Sequence, residues 1–356
     1  QGQTATQLTA SRLTGLPIEK VEVMTLPAGG GFGLRGEQDP VEDSVLLSKT
    51  LNRPVKVIWS REDDFTNDRF RPASQCKIKA GLDKNGRVIA WSHTVAAPSV
   101  MSRLMPQYVK DGIDPDAVSG IADMPYSLPN LLVNYVMVNS PVIVGWWRSV
   151  GFSVNAFTVE SFMDELAHAA GKDPVQFRLD HMEKDGRPYN ILSLLAEKAA
   201  WGTPVPEGRA RGVAVTSCFE SFAAHMAEVS VNEKGKITVH KMVCAIDCGT
   251  AVYPDAIHAQ SEAGVVMGLS VAFHEKVRFE NGGVKTANFN DYPVLTMSDV
   301  PEIEVHIAKN ALKPGGVGEP VFPSVAPAVA NALFKATGVR LRELPFKREL
   351  LIKGKG

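Results

Sequence analysis

The sequence predicts an α+β fold in two lobes, and three observations carry that expectation. The chain has 356 residues, 44% of them hydrophobic and 22% charged, which suits an ordinary globular protein large enough for two cores. A succession of strand, hairpin and helix recurs on each side of one breaker-rich stretch. That stretch, Trp201 to Gly208, holds two Pro and two Gly in eight residues and reads as a linker. The lobes are then residues 1–201 and 209–356, joined by 202–208. No sequence repeat of fixed period and no low-complexity segment points to another architecture.

The elements follow from local pattern. Residues 20–26 alternate like a strand and run into Gly29-Gly30-Gly31-Phe32-Gly33. Asp39-Pro40 is a natural N-cap and first-turn pair for a helix over 41–51, which Asn52-Arg53-Pro54 ends. Val55 to Trp59 reads as a second strand, and 75–94 as a hairpin about Asp83-Lys84-Asn85-Gly86. Apolar residues at 156, 157, 162, 163, 166, 169 and 170 define a helix over 153–170, with Ser153 placed to cap it. Helices are expected over 174–182 and 191–200. Beyond the linker come a hairpin over 226–247 about Asn232-Glu233-Lys234-Gly235, a helix over 255–273, short strands, and a last helix over 324–337.

Composition also excludes. A net charge of −1 and a pI near 6.8 give no footprint for nucleic acid. No apolar run reaches the length of a membrane span. Cys76, Cys218, Cys244 and Cys248 do not make a disulfide framework, and their spacing fits neither a zinc nor an iron–sulfur site. The start at Gln1, with no basic or apolar leader pattern, reads as if cut from the middle of something longer.

Four motifs carry chemistry. Gly31-x-Gly33-x-x-Gly36 fits a dinucleotide fingerprint and the acidic pair Glu62-Asp63 comes after it; a nicotinamide-dependent oxidoreductase is therefore one reading. Its bland alternative is a glycine turn. A third reading has the glycine-rich run bring backbone N–H groups up to a bulky anionic cofactor, with Phe32 on one side. Gly145-Trp146-Trp147-Arg148 leads into the 153–170 helix, and its Arg either stacks structurally or holds an oxo group or phosphate. Gln260-Ser261-Glu262-Ala263-Gly264 opens an otherwise apolar helix; helix–helix packing is its plain reading. In Pro314-Gly315-Gly316-Val317-Gly318-Glu319-Pro320 a carboxylate sits on a rigid loop among Val317, Val321 and Phe322. Such surroundings suit it to accept a proton, although a turn Glu capping the next helix would look similar.

Together, Gln1, the Gly29–Gly33 run, Arg148, Gln260-x-Glu262 and Gly315 to Pro320 resemble the xanthine oxidase family of molybdenum hydroxylases. Nearly the whole chain is covered, as the C-terminal part of the molybdopterin-binding subunit. Trp147-Arg148-Ser149-Val150-Gly151, Glu160 to Leu166 and Asn290-Asp291-Tyr292-Pro293 are similar to the branch containing isoquinoline 1-oxidoreductase, nicotinate dehydrogenase and membrane-associated aldehyde dehydrogenases. The resemblance implies a molybdopterin-binding α+β fold and a molybdenum-molybdopterin cofactor in its cytosine dinucleotide form. It implies that Gln1, Gly31, Phe32, Gly33, Arg148 and Gln260 face that cofactor, with no side chain ligating the metal directly. Glu319 matches the base, which accepts a proton from the hydroxyl that attacks an electron-poor carbon of an aldehyde or N-heteroaromatic ring. The implied partners are a second molybdopterin-binding polypeptide, a subunit with [2Fe–2S] clusters, and a cytochrome c or other electron acceptor. A non-catalytic scaffold half of a multi-subunit complex is the alternative outside enzymes.

Overall fold

The structure is a computed structural model and describes residues 1–352. The α-helices are α1 (Gln3–Thr14), α2 (Asp39–Leu51), α3 (Arg61–Thr66), α4 (Met101–Leu104), α5 (Pro115–Val118), α6 (Phe152–Ala169), α7 (Pro174–Asp180), α8 (Arg187–Lys198), α9 (Pro254–Phe273) and α10 (Val325–Thr337). The strands are β1 (Gln75–Leu82), β2 (Val88–Ala97), β3 (Leu131–Met137), β4 (Arg209–Cys218), β5 (Ser221–Val231), β6 (Ile237–Asp247), β7 (Phe279–Glu280), β8 (Gly283–Val284) and β9 (Glu302–Ile307). The chain forms two compact units, each drawn from three segments. One comprises Gln1–Pro72, Ser140–Arg148 and Val277–Asp291; the other comprises Ala73–Asn139, Ser149–Lys276 and Tyr292 onward.

In the first unit α1 packs on α2, with Arg12 paired to Glu42 at 2.9 Å and Lys49 Nζ donating to the Leu13 carbonyl at 2.8 Å. The 277–291 segment, which holds β7 and β8, joins the stretch of α3 and the residues after it through edge-on ring contacts of Phe65 with Phe289 and Phe70 with Phe279. The strands expected over 20–26 and 55–59 do not form. Alternation makes a segment able to be a strand, but its ladder bonds must come from another segment. Among the described residues neither has such a partner, and Met24, Leu26 and Ile58 are 82%, 79% and 77% exposed.

The second unit holds two sheets. β1 and β2 form the expected antiparallel hairpin, and β3 adds to β2 in parallel. The other sheet runs β4-β5-β6-β9, antiparallel except for the parallel β6–β9 pair. Its two faces enter two cores. Val213, Val215, Ala224 and Met226 pack with Trp91, Met163 and Leu192. Ala214, Ala227, Val229 and Met242 pack with Leu269, Val329 and Leu333 from α9 and α10. The first of these cores takes residues from both sides of 202–208, which is a turn from α8 into β4 inside this unit and no division between units. The Pro and Gly there mark a change of direction, which breaker residues signal as strongly as they signal a linker.

Candidate functional site

The first unit carries the glycine run. Phe32 takes a left-handed φ of 50° and is 73% exposed, so the loop turns its backbone and one aromatic face outward. Two neighbours fix the loop. A Cβ on Gly31 would lie 2.4 Å from Gln1 Oε1, and one on Gly33, where φ is 89°, would lie 1.7 Å from the Trp146 carbonyl oxygen. Only glycine permits that second approach. Gln1, Gly31, Phe32, Gly33 and the segment leading to Arg148 thus belong to one cluster, although they are far apart in sequence. Arg71, missed in the sequence, stacks on the Trp147 ring at 4.7 Å. The dinucleotide reading fails on geometry. No strand precedes the run, a single 3₁₀ turn (Leu34–Gly36) follows it, and α2 begins only at Asp39. No helix N-terminus lies within the glycines to receive a pyrophosphate.

The second unit carries Glu319 on a half-buried loop between β9 and α10. Val321 and Phe322 beside it are buried, as expected, and Val317 packs against the same small cluster. The Ser149 amide N–H donates to Glu319 Oε1 at 3.1 Å, and the Ser149 hydroxyl donates to the Glu319 carbonyl at 2.7 Å. Ser149 and Val150 both have left-handed φ values, 70° and 48°, a costly pair for residues with a Cβ. Burial first, and then the Glu319 charge, push the neighbouring Cys218 thiol up. On α9, Gln260 is exposed, with its Oε1 3.9 Å from where a Gly318 Cβ would sit. Packing is served by Gly264, whose Cβ would meet the Val321 carbonyl at 2.6 Å. The helix therefore presents Gln260 toward the Glu319 loop while its glycine face closes on the chain just beyond it.

The loop is gripped from two sides. β4 and β5 meet in a two-residue turn, Phe219-Glu220, with both φ values positive (49° and 62°). The Phe219 carbonyl accepts from Gly316 N–H at 2.9 Å, and Ser221 Oγ donates to the Gly316 carbonyl at 2.6 Å. From the end of β6, the Cys248 carbonyl accepts from Gly315 N–H at 2.9 Å. A Cβ on Gly315 would lie 2.7 Å from the Glu220 carbonyl, which explains the glycine pair in the motif. Ser149, Ser221 and this turn were not singled out in the sequence. Their partners lie 170 and 95 residues away in the case of the two serines, and no local pattern marks such bonds.

A Cβ on Gly29 would meet nothing within 4 Å, which leaves backbone accessible beside Phe32, and Gln260 offers an amide able both to donate and to accept. Among the described residues no helix is long and apolar enough to cross a membrane.

Two family models, each described as a molybdopterin cofactor-binding domain, match residues 1–182 and 160–301. The chain is 35% identical to the beta chain of isoquinoline 1-oxidoreductase from Brevundimonas diminuta, over 98% of this chain and 46% of that protein. It is 32% identical to a membrane-bound aldehyde dehydrogenase (pyrroloquinoline-quinone) of Gluconacetobacter polyoxogenes, over 97% and 48%. It is also 32% identical to a nicotinate dehydrogenase subunit of Pseudomonas putida, over 93% and 30%. The chain thus spans about half or less of the length of these relatives. In fold it is similar to quinoline 2-oxidoreductase from Pseudomonas putida 86, at a TM-score of 0.85 and 14% identity over 99% of this chain and 71% of that one. It is similar also to aldehyde oxidoreductase from Desulfovibrio gigas, at a TM-score of 0.80 and 16% identity over 98% and 56%. The matched models and relatives lead to one conclusion: the chain belongs to the xanthine oxidase family of molybdenum hydroxylases, as a molybdopterin cofactor-binding chain.

Proposed function

We propose that this chain forms part of a molybdenum hydroxylase that oxidises an aldehyde or hydroxylates an N-heteroaromatic ring, with Glu319 as the base. The carrying observation is the clasp on Glu319. A carboxylate fixed through Oε1 by the Ser149 amide, on a loop gripped by glycine contacts, is held for a task that a solvated turn residue does not need. Molybdenum-molybdopterin, when bound, supplies two-electron oxidation of an electron-poor carbon with oxygen drawn from water. Glu319 accepts the proton of the attacking hydroxyl at its carboxylate. The Ser149 N–H keeps that carboxylate in one orientation, and Gln260 sits where it can bond the pterin. Gln1, Gly31, Phe32, Gly33 and Arg148 form the other cofactor-facing set.

The cytosine dinucleotide form of the cofactor, [2Fe–2S] clusters on a partner subunit, a second molybdopterin-binding polypeptide and a terminal acceptor such as a cytochrome c belong to the same proposal. Its multi-subunit part is supported by relatives named as subunits, of isoquinoline 1-oxidoreductase and of nicotinate dehydrogenase. Many turnovers of the purified holoenzyme in ¹⁸O-labelled water, with quinoline as the decisive probe and benzaldehyde beside it, test the proposal. Label should appear in the acid or the hydroxylated ring. Label arriving only from dioxygen would remove the mechanism.

A further inference from the structure

We propose that Arg187 and Asp247 form a positioning clamp for the loop that carries Glu319, and this rests on the reading of Glu319 as the base. Asp247 ends β6 and is 5% exposed. It takes a two-pronged contact from Arg187, Nε to Oδ2 at 2.9 Å and Nη2 to Oδ1 at 2.8 Å. It also accepts from Asn310 Nδ2 at 2.8 Å and from the Gly249 amide at 3.0 Å. Arg187, at the start of α8, donates through Nη1 to the Glu220 carbonyl at 2.9 Å and lies over the Phe222 ring at 4.7 Å. One fork therefore joins α8, the β4–β5 turn, the end of β6 and the segment at 310.

Two of those four pieces hold the catalytic loop directly, and the third, the segment at 310, runs into it. The turn takes Gly316 through Phe219, the end of β6 takes Gly315 through Cys248, and Thr250 donates from both N and Oγ1 to the Leu312 carbonyl at 2.9 and 2.8 Å. Glu319 follows three residues after Gly316. The turn is the telling part. Its two left-handed residues place one carbonyl on Arg187 and the adjacent one on Gly316. A planar guanidinium fixes direction as well as distance, so losing the fork releases the turn and, with it, the loop. Burial alone would raise the Asp247 carboxyl, but the Arg187, Gly249 and Asn310 contacts hold it below the ordinary carboxylate range.

The holoenzyme with Asp247→Asn, Arg187→Lys or Glu319→Gln tests the clamp. Asp247→Asn should raise hydrogen exchange in the 312–319 peptide about tenfold or more while α6 and α10 stay protected. Molybdenum content and KM should hold, kcat should fall about ten- to a hundredfold, and the acidic limb of the kcat–pH profile should shift. Arg187→Lys, which keeps the charge and loses the fork, should lie between. Wild-type exchange and an unmoved pH profile in both variants would overturn the proposal. So would faster exchange spread evenly over α6, α10 and the loop, which marks a merely structural pair. Should Asp247→Asn fail to fold, Arg187→Lys decides by the same readings. Glu319→Gln should cost about 10²–10⁴ in kcat with full metal loading. Near-normal turnover there would end the base assignment, while the exchange data would still judge the clamp.

Discussion

His93 and His225 are sealed in the second unit with no exposed surface. Both ring nitrogens of His93 lack a hydrogen-bond partner, and so does His225 Nε2, while His225 Nδ1 meets Ser324 Oγ at 2.8 Å. Burial pushes His93 down to about 4 and His225 down to about 3. The unfolded chain would protonate both near pH 6.5, so below that pH it binds more protons than the folded one. Their contribution to stability is complete above about pH 6.5 and is lost as pH falls through 4 and then 3. Urea unfolding should show an unfolding free energy that drops between pH 7.5 and 4.5, by about 1.4 kcal/mol per pH unit for each group inside its window. His93→Leu should flatten part of that slope; an unchanged slope would mean that His93 is not the group titrating. The two residues illustrate a wider limit on reading a sequence. Glu319 and the glycines declare themselves through a motif, whereas nothing near His225 or Ser149 in sequence announces their partners 99 and 170 residues away.

Among the elements, α6 was the most legible and still held a surprise. Its apolar spacing predicts a helix over 153–170, and α6 spans Phe152–Ala169. Ser153 does not cap it; its hydroxyl turns back to the Val150 carbonyl, and Gly151 takes the cap position. One polar residue of its motif ties neighbouring elements together. Glu160, fully buried, accepts from Arg178 Nε at 2.9 Å and from the Val215 amide at 3.0 Å, and Tyr126 bonds its other oxygen. One carboxylate thereby ties α6 to α7 and to β4. Glu160→Ala strands a buried guanidinium and should cost about 3–5 kcal/mol in denaturant unfolding; a loss below about 1 kcal/mol would mean that water replaces the carboxylate there. β4 itself escaped the sequence reading. Val213 and Val215 face one core and Ala214 the other, so the middle of the strand has no polar face and no alternation to detect.

At the scale of the molecule, the first unit leaves its strand-like segments open, with Met24, Leu26 and Ile58 the most exposed of them. On the proposed function, that exposed apolar surface fits a polypeptide that works within a larger assembly. The chain is expected to copurify with a second molybdopterin-binding polypeptide and a [2Fe–2S] subunit, and to self-associate when expressed alone. Size-exclusion chromatography with light scattering and metal analysis checks this. A monodisperse monomer that takes up the cofactor unaided would refute it. The sequence alone determined the fold class, the two hairpins and most of the longer helices, because periodicity and turn residues are local signals, and its motifs carried the family resemblance. Tertiary structure decided which strands exist and how the units divide. It also decided what holds Glu319, because ladder partners, shared cores and the fork of Arg187 on Asp247 all depend on segments brought together only by folding.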